Sequence, residues 1–220
     1  MHVLWIDTST CGCNIAVGDE NNVWAYECNE NTRGQSEHLL VMIDRVLKKA
    51  QLKLSDIERI SICKGPGSFT GVRIGLAVGL MFSRVLNVPC IGISAFELSL
   101  LAIDAPQDIP YAIAIHSFRD EPFLQVFKNE FPITKPFVAT KDSIQQYKIE
   151  EIFMYESINF FNFSDINKKI INLYQSEMFF KNALSLSCNI DNIEKFPALP
   201  LYIRAADAQI GRHNIKKVTL

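Results

Sequence analysis

One block restricts the fold of this chain more than any other: Lys64-Gly65-Pro66-Gly67-Ser68-Phe69-Thr70-Gly71-Val72-Arg73-Ile74-Gly75. It follows the apolar run Ile60–Cys63 and leads into an apolar stretch that stops before Pro89. This reads as a strand, a glycine-rich turn and a helix from about Phe69 or Thr70 to Leu86. Such a turn presents backbone N–H groups and the positive end of a helix dipole to an anion. The spacing matches neither G-x-x-x-x-G-K-[ST] nor G-x-G-x-x-G, so a tight strand-to-helix connection fits it equally well. Within the helix, Gly71, Gly75, Gly79 and Ser83 recur every fourth residue and lay small residues along one face. An internal glycine costs about 1 kcal/mol relative to alanine. Accepting that cost repeatedly demands a very close neighbour, either the protein's own sheet or a helix of another chain.

Around this block the patterning alternates between strand and helix. Residues 2–8, Cys13–Gly18 and Val23–Cys28 read as a β-meander. Leu39, Leu40, Ile43, Val46, Leu47 and Ala50 share one face of a helix that Ser36 is placed to cap. Cys90–Ile93 is a short strand, followed by a helix from about Ala95 to Ile103. Ala105–Pro110 marks a boundary, after which Tyr111–Ile115 and Phe123–Phe127 form a hairpin and Glu151–Tyr155 a strand. A last helix is expected from Ser164 or Asp165, with Ile166, Ile170, Leu173, Tyr174 and Met178 inward. The order implies an α/β or α+β protein of two lobes. The first spans residues 1–105, with 200–220 packing back on it, and the second spans 106–199.

The chain's 22 Lys plus Arg against 24 Asp plus Glu argue against a dedicated nucleic-acid binder. The N-terminus lacks a basic, apolar leader, and the apolar run Ile74–Phe82 falls short of the ~20 residues of a membrane span. A cytoplasmic protein is expected. The six cysteines, Cys11, Cys13, Cys28, Cys63, Cys90 and Cys188, include no C-x-x-C and read as reduced small hydrophobes. His38, His116 and His213 have no ligand-type partner three or four residues away. Asp7, followed by Thr8, Ser9 and Thr10, suits either a metal–phosphate loop or a capped turn. No catalytic constellation emerges.

Ile6-Asp7-Thr8-Ser9-Thr10 and Gly65-Pro66-Gly67-Ser68-Phe69-Thr70-Gly71-Val72-Arg73-Ile74-Gly75 together resemble the TsaB (YeaZ) family. Members of this family are subunits of the bacterial machinery that makes N6-threonylcarbamoyladenosine on tRNA. Ser55-Asp56-Ile57 and Pro200-Leu201-Tyr202-Ile203-Arg204 fit the same family, and the resemblance covers residues 1–100 and 196–208. It implies an α/β fold of the actin-like, sugar-kinase-like ATPase type, with two related lobes and a degenerate nucleotide site. Asp7, Thr8, Ser9, Gly65, Gly67 and Ser68 are then vestigial phosphate loops. Ser9 stands where such a loop has glycine, and His116-Ser117-Phe118-Arg119 stands where the second lobe would have an aspartate.

The catalytic relative in this machinery, TsaD, carries a metal-binding H-x-x-x-H where this sequence has Ala95 and Ser99, and neither can replace an imidazole. The resemblance therefore implies a non-catalytic scaffold with no metal or cofactor of its own, ATP and metal being held by partner subunits. It would pair with TsaD, recruit the ATPase TsaE, and reach tRNA only through that complex, with TsaC supplying threonylcarbamoyl-adenylate. Alone, it would form a homodimer. Leu39, Ile43, Val46, Gly71, Gly75, Gly79 and Ser83 form the expected partner interface, so Gly75→Arg would leave a folded monomer. The alternative is a small-molecule phosphotransferase of the same fold.

Overall fold

The computed structural model describes residues 1–30, 34–118, 121–155, 167–171 and 177–204. Its first sheet is built from β1 (Val3–Asp7), β2 (Cys13–Gly18), β3 (Val23–Asn29), β4 (Arg59–Cys63) and β5 (Cys90–Ile93), in the order β3-β2-β1-β4-β5. The first three strands run antiparallel as a meander. Strands β4 and β5 run parallel to β1, because helices α1 (Gln35–Lys49) and α2 (Phe69–Leu86) carry the chain back between strands. With helices on both faces, every residue of β1 is buried. Its alternation sorts the core: Leu4 and Ile6 join the α1 and α2 side chains, whereas Val3 and Trp5 join the opposite cluster.

The second sheet comprises β6 (Tyr111–Ile115), β7 (Phe123–Lys128), β8 (Phe131–Pro132), β9 (Phe137–Val138), β10 (Glu151–Tyr155) and β11 (Asn167–Ile171). The order β8-β7-β6-β10-β11 repeats that of the first sheet, with an antiparallel meander on one side of the leading strand and parallel strands on the other. Two lobes of one topology make up the fold. Two short helices, α3 (Ala95–Leu100) and α4 (Lys141–Gln146), complete the connections.

Three expectations are corrected. Asn167–Ile171 is a strand, not the start of a helix. It pairs along the open side of β10, and Lys169 Nζ lies 2.7 Å from Glu151 Oε2. The helix, α5 (Glu177–Asn189), begins later and buries Phe179, Phe180, Ala183, Leu184 and Ser187, leaving Met178 61% exposed. Ile170, expected inward, is also exposed, and Ile166, Leu173 and Tyr174 lie outside the described residues. Ser36 does not cap α1; Gly34, with φ of 73°, occupies the N-cap and Ser36 sits exposed in the first turn.

Although α5 falls within 106–199, it packs on β1, β2 and β3 of the first sheet. Arg59 of β4 fixes its end: Nη1 donates to the carbonyls of Ser187, Cys188 and Ile190 at 2.6, 3.3 and 3.1 Å. These are the acceptors that a helix C-terminus leaves unpaired. The chain then returns to the first sheet, where the Gly92 N–H donates to Phe196 O (2.9 Å) and the Leu201 N–H to Lys64 O (2.8 Å).

The third correction concerns the small-residue strip of α2. Gly71, Gly75 and Gly79 face the protein's own sheet. A Cβ added at these positions would lie 1.8 Å from Thr8 O, 2.7 Å from Thr8 Oγ1 and 2.6 Å from Ile62 Cγ2 respectively. Leu39, Ile43 and Val46 are equally internal, buried in the same core cluster against β2. Ser83 is half-buried, and its hydroxyl donates to Val88 O at 2.6 Å to close the helix end. By length and composition α2 is the one helix among the described residues apolar enough to cross a bilayer, over a longer stretch than Ile74–Phe82; here it lies along a sheet. Gly71→Ala is therefore expected to destabilise the fold by about 3 kcal/mol, since the obstacle is backbone. Urea unfolding checks this through a lower midpoint at unchanged m. Gly75→Arg should unfold the chain, not yield a stable monomer.

Candidate functional site

The turn that follows β1 brings together most of the residues suspected of phosphate binding. Asp7 is fully buried, and its Oδ1 accepts both the N–H (2.6 Å) and the hydroxyl (2.7 Å) of Ser9. Oδ2 accepts the Thr10 hydroxyl at 2.5 Å. An aspartate closing its own turn in this way stabilises the loop without any ligand. The glycine-rich connection is pressed directly onto it. The Ser68 N–H donates to Ser9 O at 2.7 Å, and a Cβ on Gly67 would lie 2.1 Å from that same oxygen. Ser68 also caps α2 by accepting the Gly71 N–H at 3.2 Å. Gly65 holds φ of 90°, the left-handed region that suits glycine.

Two further side chains lock the turn. The Thr8 hydroxyl donates to Gly71 O at 2.6 Å, and Gln35 Nε2 donates to Thr8 O (2.9 Å) and Gly12 O (2.8 Å). Asp7, Thr8, Ser9, Gly67 and Ser68 thus meet as the sequence suggests, but they meet each other. The Ser9 and Ser68 N–H groups, which a phosphate loop would aim at an anion, already have acceptors within the chain. Sequence reasoning missed Gln35, which carries no motif.

The remaining candidates show the same self-satisfaction. In the second lobe, the turn after β6 folds back so that the Phe118 N–H donates to His116 Nδ1 at 2.6 Å, and the Ser117 hydroxyl donates to Glu121 O at 2.5 Å. Burial lowers the His116 pKa, which favours the neutral ring that this hydrogen bond needs. At the start of α3, Ser94 and Glu97 form a capping box. Ala95 and Ser99 are both buried, and the Ser99 hydroxyl donates to Ala95 O at 2.7 Å. Among the described residues no group of three or more His, Cys, Asp or Glu is arranged to hold a metal ion. His213 lies outside them. Burial, reinforced by Asp7, raises the Cys63 thiol well above its ordinary value. Burial likewise raises Cys11 and Cys28 to about 11, and Cys13 and Cys90 to about 12. None of these is a thiolate near neutral pH.

What remains open is a surface. Helices α1 and α2 lie side by side on one face of the first sheet. The outer side of α1 is largely polar, with Glu37, His38, Asp44, Arg45, Lys48 and Lys49 exposed, but both helices also expose apolar side chains, among them Leu40, which the sequence pattern places on the inner face. Leu40 and Val41 of α1 and Leu80 and Met81 of α2 are about half exposed, and Val85 is 72% exposed. At the other end of α2, Phe69 is exposed beneath the Arg73 guanidinium, 4.6 Å from its ring centroid, and 5.1 Å from the Tyr202 ring. The usable sequence signal for this surface is an α2 that is apolar on both sides.

The family described as TsaD, tRNA N6-adenosine threonylcarbamoyltransferase, matches residues 29–130. The tRNA threonylcarbamoyladenosine biosynthesis protein TsaB of Buchnera aphidicola subsp. Schizaphis graminum is 39% identical over 103 residues, 46% of each chain. Its counterpart in Escherichia coli K12 is 34% identical over 94 residues, 43% of this chain and 40% of that one. In these matches the chain spans about half the length of its curated relatives. A Pseudomonas aeruginosa structure, described as an uncharacterized protein with similarity to peptidase YEAZ, superposes with a TM-score of 0.69 at 21% identity, over 92% of this chain and 99% of that one. This likeness establishes the shared two-lobed α/β fold.

The thiols give a direct check on how closed the Asp7 turn is. At pH 8, Cys63 and Cys13 should resist a thiol reagent until urea unfolds the protein, as followed residue by residue by mass spectrometry. Fast labelling of native Cys63 would mean an open, activated thiol. Because these thiols titrate above the ~8.5 of an unfolded cysteine, their contribution to stability is complete below that pH and declines as pH rises past it.

Proposed function

We propose that this chain is a member of the TsaB (YeaZ) family and acts in tRNA threonylcarbamoyladenosine biosynthesis as a non-catalytic scaffold that docks on the catalytic subunit TsaD. The observation that carries the reading is the set of apolar side chains left exposed on the outer side of α2, with two more on the otherwise polar outer side of α1. Leu40, Val41, Leu80, Met81 and Val85 have no core to join, because the opposite faces of both helices already fill it. An exposed apolar surface on a rigid helical pair is the usual mark of a protein-binding site. The interface residues expected from the sequence are thus replaced by their neighbours on the other side of the same helices.

The self-bonded Asp7 turn supports the non-catalytic half of the proposal. A phosphotransferase of this fold would need a carboxylate directed at magnesium and phosphate, whereas both Asp7 oxygens accept hydrogen bonds from Ser9 and Thr10. ATP and metal are accordingly assigned to the partner subunits, TsaE is recruited through the TsaD-bound pair, and tRNA is reached through the assembled complex in the cytoplasm. In the absence of TsaD, the same face serves self-association.

Charge placed on this face should separate binding from folding. Leu80→Glu with Val85→Glu is expected to leave the melting temperature within a few degrees of the parent, since both side chains are solvent-facing. Co-purification with TsaD should fall by at least about tenfold, in line with loss of central interface anchors. Undiminished TsaD binding by the folded double variant would overturn the proposed docking face.

A further inference from the structure

We infer that the Asp7–Gly12 turn registers α1 against α2 and so sets the shape of the docking face, with Gln35 and Thr8 as its positioning residues. The inference rests on the docking reading above, and it assigns a task to the turn beyond being a vestige. Both outer helices start at this turn and both are tied to it by their first residues. Gln35 opens α1, and its amide donates to two carbonyls of the turn, Thr8 O and Gly12 O. Ser68 is the N-cap of α2, and its N–H donates to Ser9 O. One turn further along α2, Gly71 O accepts the Thr8 hydroxyl.

The turn itself is stiff. Asp7 draws Ser9 and Thr10 around its carboxylate, and Gly12 holds φ of 78° with no room for a side chain, since a Cβ there would lie 2.0 Å from Asn29 O. Thr8 uses both of its polar groups in opposite directions. Its carbonyl binds Gln35 of α1 and its hydroxyl binds α2, so one residue fixes the spacing between the N-terminal ends of the two helices. The glycine strip belongs to the same device. Without a Cβ on Gly75, the Thr8 hydroxyl can enter the helix surface where a side chain would have stood 2.7 Å away. Leu40 and Val41 follow Gln35 by little more than one turn of α1, and Leu80 and Met81 follow Gly71 along α2. A shift of either helix start therefore displaces the apolar side chains it carries.

The test uses the full chain and two readouts, self-association by sedimentation and amide exchange along α2. Gln35→Met keeps the side-chain volume and removes both donors. Its self-association should weaken about tenfold, the equivalent of about one buried hydrogen bond. Exchange at Gly71–Ile74 should accelerate to a similar degree, although the Gln35 amide bonds to the turn and not to α2, while α5 amides remain unchanged. Thr8→Ser, which keeps the hydroxyl, should retain association within about twofold of the parent. Thr8→Val, which places a methyl 2.6 Å from a carbonyl oxygen unless α2 moves, should not. Unchanged α2 exchange in Gln35→Met overturns the inference. Should Gln35→Met fail to fold, identical association and exchange in Thr8→Ser and Thr8→Val overturn it instead. A parent chain that stays monomeric defeats only the self-association part of the docking reading, and the α2 exchange still decides the coupling.

Discussion

The close approach of α2 to the end of β1 is the contact on which the rest of the structure depends. Backbone meets backbone there, with no side chain between Gly71 and Thr8 O, and the helix accepts several internal glycines to make this possible. Once α2 lies this close, β4 and β5 can run parallel to β1 beneath it, and Leu4, Ile6, Ile62, Val72 and Leu76 join in one buried core cluster. The same approach presses the Gly65–Ser68 connection onto the Asp7 turn, so that the N–H groups which could have met a ligand meet the chain instead.

Function follows from which faces this packing uses up. The sheet-facing sides of α1 and α2 are filled, the Asp7 carboxylate is engaged, and Ala95 and Ser99 are bonded within their own helix. The apolar side chains that stay exposed are Leu80, Met81 and Val85 of α2, with Leu40 and Val41 on the largely polar outer side of α1. The proposed scaffold role draws on this arrangement. The protein's two lobes share one strand order, and its first lobe presents a surface.

Much of the first lobe was legible in the sequence because its signals are local and strong. The first two strands are apolar runs and the third alternates, with turn residues between them. The 3.6-residue stripe of α1 holds at Leu39, Ile43, Val46 and Leu47, Leu40 alone turning out to be exposed. The glycine strip correctly announced a close neighbour, but spacing alone cannot distinguish the protein's own sheet from another chain's helix; both require small residues at every fourth position. The outer apolar residues escaped notice for a related reason. Leu80, Met81 and Val85 interleave with the strip, and a helix apolar on both sides shows no clear preference for either. In the second lobe, Asn167–Ile171 carries two lysines beside two isoleucines, a pattern compatible with helix until the unpaired side of β10 is known. Tertiary context decided that element, as it did the Gln35 anchor.

The central claim is that α2 and its connection close the Asp7 turn within the chain itself, which is why the proposed role gives this turn no nucleotide to hold. Titration calorimetry of the isolated chain with ATP and magnesium tests this most directly. The account predicts no saturable binding at nucleotide concentrations up to about 1 mM, the range in which binding free energies fall to about −4 kcal/mol. Micromolar binding that Asp7→Asn abolishes would contradict it, because the carboxylate would then have to leave Ser9 and Thr10 to meet a ligand.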